Sequence, residues 1–335
     1  MSARPSAYAT VSTALGLLSD RRLADAVAAA PELGSGIGGR SAELDVDGVR
    51  VFVKRVPLTD LELRPENARS TANLFGLPSF YQYGIGSAGF GAWRELAAHL
   101  MANGWVLRGE YGGFPLLYHW RILPDRPPTG FTGDFGGVDE AVAHWDGSPA
   151  VRHRLEAIGE SSASLVLFLE HVPWTLAAWL EEHPDTLPWV TEELSRGTEF
   201  MSSRGLVHFD AHFHNVLTDG HRVYFADLGL ASSTAFELAP DEAEFLADHR
   251  IYDRCYVPAH LLKFHLLDRV RGGTDRETFL REWSEGRRAP GVPADVGAVL
   301  DRHARTAVVV DDFFHRLVTR SKRTPFPVAE LEATL

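Results

Sequence analysis

The stretch GLVHFDAHFHNVL, residues 205–217, places three histidines, one aspartate and one asparagine between short apolar runs. His208, Asp210, His212 and His214 are spaced by two, so in a strand their side chains would share one face. A buried face of four polar groups requires an ion, and zinc is bound by three or four convergent ligands. Two interpretations are open at this point: a zinc site, or histidines with satisfied hydrogen bonds in a polar turn.

The segment that follows favours a different ion. A β-branched and aromatic run ends in Asp227, followed by Leu-Gly, and TDG (218–220) predicts a hairpin turn between this run and Asn215. A carboxylate at a strand end and an asparagine amide both offer hard oxygen ligands, which select Mg²⁺ rather than zinc, with substrate phosphates completing the shell. Asp210, just before Asn215 in the same loop, would lie beside the metal without having to bind it.

A glycine-rich stretch and a strand with a lysine come earlier in the chain. ELGSGIGG (32–39) precedes AELDV, the turn signal Asp47-Gly48 and VRVFVKRV, which together predict an antiparallel hairpin that carries Lys54. Arginine supplies nearly all of the 33 basic residues, and only three of them are lysines. A lysine inside a strand pattern therefore points to a specific role.

These parts resemble the protein-kinase-like superfamily. HFDAHFHN is similar to its catalytic loop, His-x-Asp-x-x-x-x-Asn, and DLG to its metal-binding Asp-Phe-Gly. His212 makes the loop more similar to the aminoglycoside and choline phosphotransferase branch than to eukaryotic protein kinases. Lys54 resembles the phosphate-binding lysine, and LFLEHV (167–172) resembles the hinge strand that contacts adenine, here through Glu170 and Val172.

The resemblance implies a role for each residue of the loop and the hairpin. Asp210 is the expected catalytic base. Asn215 and Asp227 are expected to bind the Mg²⁺ ion that bridges the phosphates of ATP. Lys54 is expected to neutralise the α- and β-phosphates. A flexible glycine turn, which contains Gly34, Gly36 and Gly38, is expected to bring its backbone N–H groups close to those phosphates.

The resemblance also implies a helix glutamate that pairs with the lysine. Glu95 in AWRELAAHL is the candidate, and Glu62 and Glu66 are the alternatives. On a helical projection Glu95 points away from the apolar stripe that includes Leu100. A solvated glutamate is therefore the competing interpretation. His208 is expected to be structural, holding the loop and the Asp227 backbone.

The element pattern predicts an α+β protein with a bilobal protein-kinase-like fold. The expected domains are an N-terminal helical extension (1–33), an N-lobe with an antiparallel sheet (34–172) and a mostly helical C-lobe (173–335). The predicted helices span 8–30, 90–103 (ended by Gly104), 138–158, 189–203, 241–271, 275–285 and 294–320. Residues 57–89 and 124–160 are insertions of unassigned role, 79–91 is expected to pack on the small lobe, and SKRTPFP (321–327) is expected to be a solvated tail.

Composition limits the classes of partner and compartment. The net charge of −12 over 335 residues argues against a nucleic-acid backbone as the main partner. No apolar run approaches the roughly 20 residues that span a bilayer. The single cysteine, Cys255, fits a reducing cytoplasm, and the N-terminus is too polar for a signal-peptide core. We therefore expect a cytoplasmic protein that binds neither membranes nor nucleic acid.

The predicted function is an ATP- and Mg²⁺-dependent transfer of phosphate to a hydroxyl. The segment ELAPDEAEFL follows soon after Asp227 and runs into a helix, which leaves little platform for a peptide. A small-molecule acceptor is therefore favoured. The alternatives are a serine/threonine protein kinase, with 232–234 as a site of self-phosphorylation, and a catalytically inert nucleotide-binding module.

Overall fold

The computed structural model describes residues 3–36 and 39–335 and has the α+β class that the sequence predicts. The chain divides into two units. The first, here called the sheet unit, contains the residues up to Val172 with Leu228–Ala231 and Phe236–Ala239. The second, here called the helical unit, contains Pro173–Asp227, Ser232–Ala235 and Pro240–Leu335.

A five-stranded antiparallel sheet forms the centre of the sheet unit, with the strand order β1-β2-β3-β5-β4. Its strands are β1 (Glu32–Gly36), β2 (Gly39–Val46), β3 (Val49–Leu58), β4 (Leu117–Pro124) and β5 (Ala163–Glu170). Asp47 and Gly48 both have positive φ, at 51° and 80°, as the two-residue turn between β2 and β3 requires. The predicted hairpin that carries Lys54 is confirmed.

Both faces of this sheet are covered, which explains the uninterrupted apolar sequence of β5. Helices α1 (Ala3–Gly16) and α2 (Asp20–Ala29) pack on the face to which Val53 and Phe168 belong. Helix α4 (Ala92–Leu107) packs on the opposite face with Val56 and Leu167. Because side chains alternate along β3, Lys54 lies on the α4 face.

The predicted single helix over 8–30 is wrong, because it is two helices. Ser19 separates α1 from α2, and its side chain accepts a hydrogen bond from the Arg22 N–H group as an N-cap. The helix predicted over 138–158 is also two, α5 (Val138–His144) and α6 (Pro149–Gly159), with Ser148 as the N-cap of the second. In both cases a capping serine within the predicted helix starts a new one.

The helix predicted to end at Gly104 continues for about one more turn. Gly104 is an interior residue of α4, and the helix ends at Leu107 with Arg108 as its C-cap. Gly109, with φ of 71°, follows the cap and is the glycine that marks the end. Gly104 and Gly109 both lie near the end of the apolar pattern, and only Gly109 adopts the left-handed backbone that ends the helix.

The 57–89 insertion belongs to the sheet unit and is ordered by aromatic packing. It contains a short helix, α3 (Asp60–Leu63), and 3₁₀ turns at Pro65–Asn67 and Ser79–Gln82. Tyr81 is buried with its ring 4.6 Å from that of Trp145, in an edge-to-face arrangement. The expectation that 79–91 packs on the small lobe is therefore confirmed within the sheet unit.

Helices dominate the helical unit, and two short sheets carry its loops. The helices are α7 (Leu176–Glu182), α8 (Leu187–Ser203), α9 (Pro240–Asp248), α10 (Tyr252–Leu261), α11 (Leu267–Val270), α12 (Arg276–Ser284), α13 (Ala294–Thr319) and α14 (Val328–Glu332). A π-helical turn, Leu262–Leu266, joins α10 to α11. The strands are β6 (Trp174–Thr175), β7 (Leu206–Val207), β8 (Val216–Thr218), β9 (Val223–Phe225) and β10 (Ser232–Ser233), in the orders β6-β8-β9 and β10-β7.

Two other predictions for this unit are wrong. The helix predicted over 241–271 breaks after α9, where the Arg250 carbonyl oxygen accepts a hydrogen bond from the Ser202 hydroxyl at 2.8 Å. The predicted solvated tail is packed instead: Lys322 is buried, and the ring of Phe326 stacks on His249 at 4.3 Å. Both contacts join residues far apart in sequence.

Among the described residues, no helix combines the length and apolarity that crossing a bilayer demands.

Burial of histidines in the helical unit gives a pH-dependent stability. Burial is the main cause that lowers the pKa of five of them, to about 3 for His260 and to about 4 for His208, His249, His265 and His303. The unfolded chain, with histidine pKa values near 6.5, then binds more protons than the native protein between about pH 4 and 6.5. Stability in this window must rise with pH. Burial raises the pKa of Asp253 to about 7, so the contribution of this one group to stability falls as the pH rises. The five histidines oppose it.

We therefore expect the melting temperature to fall when the pH is lowered from 7.5 to 5. His303→Gln should reduce the slope, because it removes one of the buried bases. Exposed His315, on the same helix, provides the control His315→Gln, which should keep the wild-type slope. Equal melting temperatures at the two pH values would contradict this account.

Candidate functional site

The loop between β7 and β8 is held by a buried histidine. Nε2 of His208 donates a hydrogen bond to the Ala226 carbonyl oxygen at 2.9 Å, while its Nδ1 accepts one from the Asp210 N–H at 3.3 Å. Burial lowers the pKa of His208 to about 4, so the ring is neutral near pH 7. His208 thus ties the loop to the residue before Asp227, as the resemblance predicts.

A second buried group, which the sequence did not reveal, holds the same loop from helix α10. The Asp253 carboxylate accepts hydrogen bonds from the backbone N–H groups of His208, at 2.6 Å, and Phe209, at 3.2 Å. The carboxyl is buried, and burial raises its pKa to about 7. Its only sequence signal is an acidic residue in a first helical turn, which is equally typical of a solvated helix start.

Asp210 and Asn215 are in direct contact. Nδ2 of Asn215 donates to Oδ2 of Asp210 at 3.0 Å and to the Asp210 carbonyl oxygen at 3.1 Å. This arrangement fixes the orientation of the amide, because its NH₂ group is the donor in both bonds. The oxygen Oδ1 of Asn215 is then the atom that can bind a cation.

The β8–β9 hairpin places Asn215 next to Asp227. Val216 pairs with Phe225, and one step further the Ala226 N–H donates to the Asn215 carbonyl oxygen at 2.9 Å. Asp227 follows directly, with a left-handed backbone at φ of 54°. Phe209, which precedes Asp210, has φ of 64°. Such backbone costs about 1–3 kcal/mol for a residue other than glycine and is enriched at functional sites.

The donor set at this end of the hairpin suits Mg²⁺. An amide oxygen and a carboxylate are both hard ligands, and Mg²⁺ takes one or two such groups with water and phosphate oxygens for the rest. Asn215 is already oriented with its oxygen available, and Asp227 is half-buried rather than enclosed. Asn215 and Asp227 are therefore the residues that would hold the ion.

The three histidines of the loop do not form a zinc site. In the described part of the chain, no three histidine, cysteine, aspartate or glutamate side chains come together in a way that could hold a metal. His208 points to Ala226, while Nδ1 of His212 accepts from the His214 N–H group at 3.3 Å. The loop is not a continuous strand, so the spacing of two does not align these side chains.

Lys54 and Glu95 form a buried ion pair in the sheet unit. The distance from Nζ of Lys54 to Oε1 of Glu95 is 2.7 Å, and both side chains are buried. Leu100 is 38% exposed, whereas Ala98 and Ala102, on the face of Glu95, are buried. Trp93 and Leu96 of the apolar stripe are also buried, against the sheet. Helix α4 is thus buried on the face of Glu95 as well as along the stripe, and the interpretation of Glu95 as a solvated residue is wrong.

Glu62, one of the alternative partners for the lysine, has a different position. Its Oε1 atom accepts a hydrogen bond from the Ala92 N–H at 2.7 Å, at the N-terminus of α4, and Oε2 accepts from Arg154 Nη1 at 2.9 Å. Gly91 allows this approach, since a Cβ at its φ of 147° would lie 2.7 Å from the Glu62 carboxylate. Glu62 thus anchors the helix that carries Glu95, while Glu66 is exposed.

The predicted glycine turn is in part a strand. Gly34 and Gly36 belong to β1, and Gly36 pairs with Gly39 at the start of β2. Gly38 lies outside the described residues. Gly39 has φ of 115°, and a Cβ there would lie 2.2 Å from the Arg55 carbonyl oxygen, so only glycine fits. Gly34 and Gly36 therefore lie in a strand that pairs antiparallel with β2.

The predicted hinge residues lie at the end of β5. Arg4 of α1 binds the Glu170 carboxylate, with Nε of the arginine 2.9 Å from Oε1, and the Glu170 N–H donates to the Leu116 carbonyl oxygen at 2.8 Å. The side chain and N–H of Glu170 are thus engaged within the sheet unit. Val172 follows β5 and is half-buried. Nothing in the sequence marks Arg4 as the partner of Glu170, because it is one of many arginines.

No family model matches the chain, and none of the curated proteins compared with it does either.

Removing the charge of Glu62 tests its anchoring role. Glu62→Gln should lower the free energy of unfolding by about 3–5 kcal/mol, because Arg154 is left as a buried charge without its partner. The double variant Glu62→Gln, Arg154→Met should be less destabilised than Glu62→Gln alone, since it also removes the unpaired charge while the glutamine oxygen can still accept a backbone N–H. Urea unfolding measures both.

The exposed Glu66 gives the matched control, because it lies in the same insertion. Glu66→Gln should change stability by less than about 0.5 kcal/mol. Equal losses for Glu62→Gln and Glu66→Gln would contradict the anchoring role.

Proposed function

We propose that this chain is an ATP- and Mg²⁺-dependent phosphotransferase with a bilobal protein-kinase-like fold, which moves the γ-phosphate of ATP to a hydroxyl group. The observation that carries the proposal is the arrangement of Asp210, Asn215 and Asp227. Asn215 donates to the Asp210 carboxylate at 3.0 Å and is bonded through its carbonyl oxygen to Ala226, next to Asp227. A candidate base and two candidate metal ligands thus share one rigid end of a hairpin.

The buried ion pair of the sheet unit supports the same proposal. A buried salt bridge contributes little net stability compared with packed apolar residues. The buried pair of Lys54 and Glu95 is therefore better explained by a role in function than by a contribution to stability. A lysine fixed in this way can neutralise phosphate oxygens without first losing the freedom of its long side chain.

In the proposed reaction the protein mainly positions groups and neutralises charge, as in other phosphoryl transfers. Asp210 orients the acceptor hydroxyl and takes its proton while the new O–P bond forms and the bond from the γ-phosphorus to ADP breaks. Asn215 and Asp227 would hold Mg²⁺, which would supply positive charge to neutralise the phosphates. Lys54 binds α- and β-phosphate oxygens.

The segment after Asp227 favours a small acceptor over a protein. Ser232 and Ser233 are buried and pair as β10 with Val207 and Leu206 of β7, and α9 begins soon afterwards at Pro240. A backbone already paired in this way offers little free edge for a peptide. Of the predicted self-phosphorylation site at 232–234, only Thr234 is exposed.

Thermal unfolding tests nucleotide and metal binding. ATP with Mg²⁺, at about 100 times the dissociation constant, should raise the melting temperature of the wild-type protein by a few degrees. Asp227→Asn should abolish the shift, because it removes the ligand charge while asparagine tolerates the left-handed backbone. Detection of zinc by elemental analysis, together with no effect of nucleotide on the melting temperature, would contradict the proposal.

Turnover separates catalysis from inert binding. Asp210→Asn should retain the thermal shift with ATP and Mg²⁺ but lose about 10²–10⁴-fold in phosphate transfer, because the base is gone. Transfer of label from [γ-³²P]ATP measures this. Unchanged transfer would remove the role of Asp210, and wild-type protein that binds ATP but never transfers phosphate would favour the inert module.

A further inference from the structure

His212 presents an N–H group beside the candidate base. Its Nδ1 atom accepts from the His214 N–H at 3.3 Å, so the ring proton is on Nε2. Nε2 lies 3.8 Å from Oδ2 of Asp210, which is too far for a hydrogen bond. Among the described residues Nε2 has no other hydrogen-bond partner. A donor and an acceptor thus stand side by side without contacting each other.

The gap between these two atoms fits one hydroxyl oxygen. An oxygen atom can lie about 2.8 Å from each of two atoms that are 3.8 Å apart. A hydroxyl both donates and accepts, so it can donate to Asp210 and accept from His212. The side chains of His212 and Asp210 are 32% and 20% exposed, so a molecule from solvent can reach both.

Rings lie to one side of His212, whose ring centre is 6.4 Å from that of His260. His265, from the π-helical turn, stacks on Phe213 with ring centres 4.8 Å apart, and Nε2 of His260 accepts from the Phe213 N–H at 3.3 Å. Burial lowers the pKa of His260 to about 3 and of His265 to about 4, so both rings are uncharged near pH 7. Phe264 is 55% exposed next to His260. π-Helical turns are frequent at functional sites.

Charge close to the turn is largely compensated. Lys263, the cation of the turn, forms an ion pair with Asp311 of α13. The groups on this side of the loop are therefore the exposed ring of Phe264 and the half-buried, uncharged imidazoles of His260 and His265. Such groups suit the hydroxyls and the apolar faces of a sugar or polyol. The face of the exposed Phe264 ring is already taken by the Lys263 ammonium group, whose Nζ lies 5.6 Å from the ring centre. A cationic acceptor would therefore meet a like charge at this ring, whereas a neutral one would not.

We propose that Nε2–H of His212 and Oδ2 of Asp210 together hold the reacting hydroxyl of an uncharged, polyhydroxylated acceptor of the sugar or polyol class. This inference rests on the proposed phosphotransferase function. The acceptor O–H bond breaks and its proton passes to Asp210, while its oxygen bonds to the γ-phosphorus and ADP leaves. His212 keeps its proton throughout and donates a hydrogen bond to the acceptor oxygen, which makes it a specificity-determining residue.

The test combines an acceptor panel with two histidine variants. Wild-type protein with Mg²⁺ and [γ-³²P]ATP is incubated with glycerol, myo-inositol, D-glucose and D-ribose, and separately with kanamycin, choline and casein. We expect transfer to at least one of the four neutral acceptors. His212→Phe, which keeps a ring but loses the N–H group, should raise the KM for that acceptor about 10- to 100-fold. His212→Gln, whose amide N–H reaches about the position of the histidine Nε2, should recover part of the loss.

His214→Phe is the matched control, because it changes an exposed ring in the same loop, and it should leave the acceptor KM within about threefold. The thermal shift with ATP and Mg²⁺ should persist in all three variants, which shows that they are folded. Transfer to none of the neutral acceptors, or an unchanged KM in His212→Phe, would overturn the inference. Absence of any thermal shift in the wild-type protein would instead defeat the proposed function.

Discussion

The carboxylate of Asp253 is the contact on which the candidate catalytic loop depends. The backbone N–H groups of His208 and Phe209 lie in irregular structure, where no strand supplies them with partners, and a buried unpaired N–H costs about 1–3 kcal/mol. One carboxylate from α10 satisfies both. Ala226 then links the loop to Asp227, because its oxygen accepts from His208 and its N–H donates to the carbonyl oxygen of Asn215.

The sheet unit uses the same physical device in another place. Glu62 is a buried carboxylate that satisfies backbone N–H groups of two segments, at Thr59 and at Ala92, and it is itself neutralised by Arg154. The long insertion after β3 is thus part of the structure that holds α4. In each unit one buried acid fixes the element that carries a charged side chain of interest, Asp210 in one and Glu95 in the other.

Local patterns predicted the elements, and long-range contacts account for most of the errors. Alternation in β3 and β5 and the Asp47-Gly48 turn were enough to predict the hairpin with Lys54, and the resemblance suggested Glu95 as its partner. Asp253 was not predictable, since its role follows from meeting a loop 45 residues earlier in the chain. The break after α9 and the packed position of Phe326 also come from distant contacts. A capping serine such as Ser19 is present in the sequence, but apolar residues that pack in the same core lie on both sides of it, Leu15 before it and Leu23 after it.

Phe209 shows how two demands at one position oppose each other. Its backbone is left-handed, a conformation that glycine adopts without cost, yet its buried ring packs against Phe245 and Tyr252, with ring centres 5.9 and 5.0 Å away. Glycine at this position would relieve about 1–3 kcal/mol of backbone strain. It would also leave a cavity in place of the ring, and truncation of a buried phenylalanine costs about 3–5 kcal/mol. A bulky ring therefore stands where the backbone geometry alone would favour glycine, and replacing Phe209 by glycine would relieve the strain only by losing the packing of the ring.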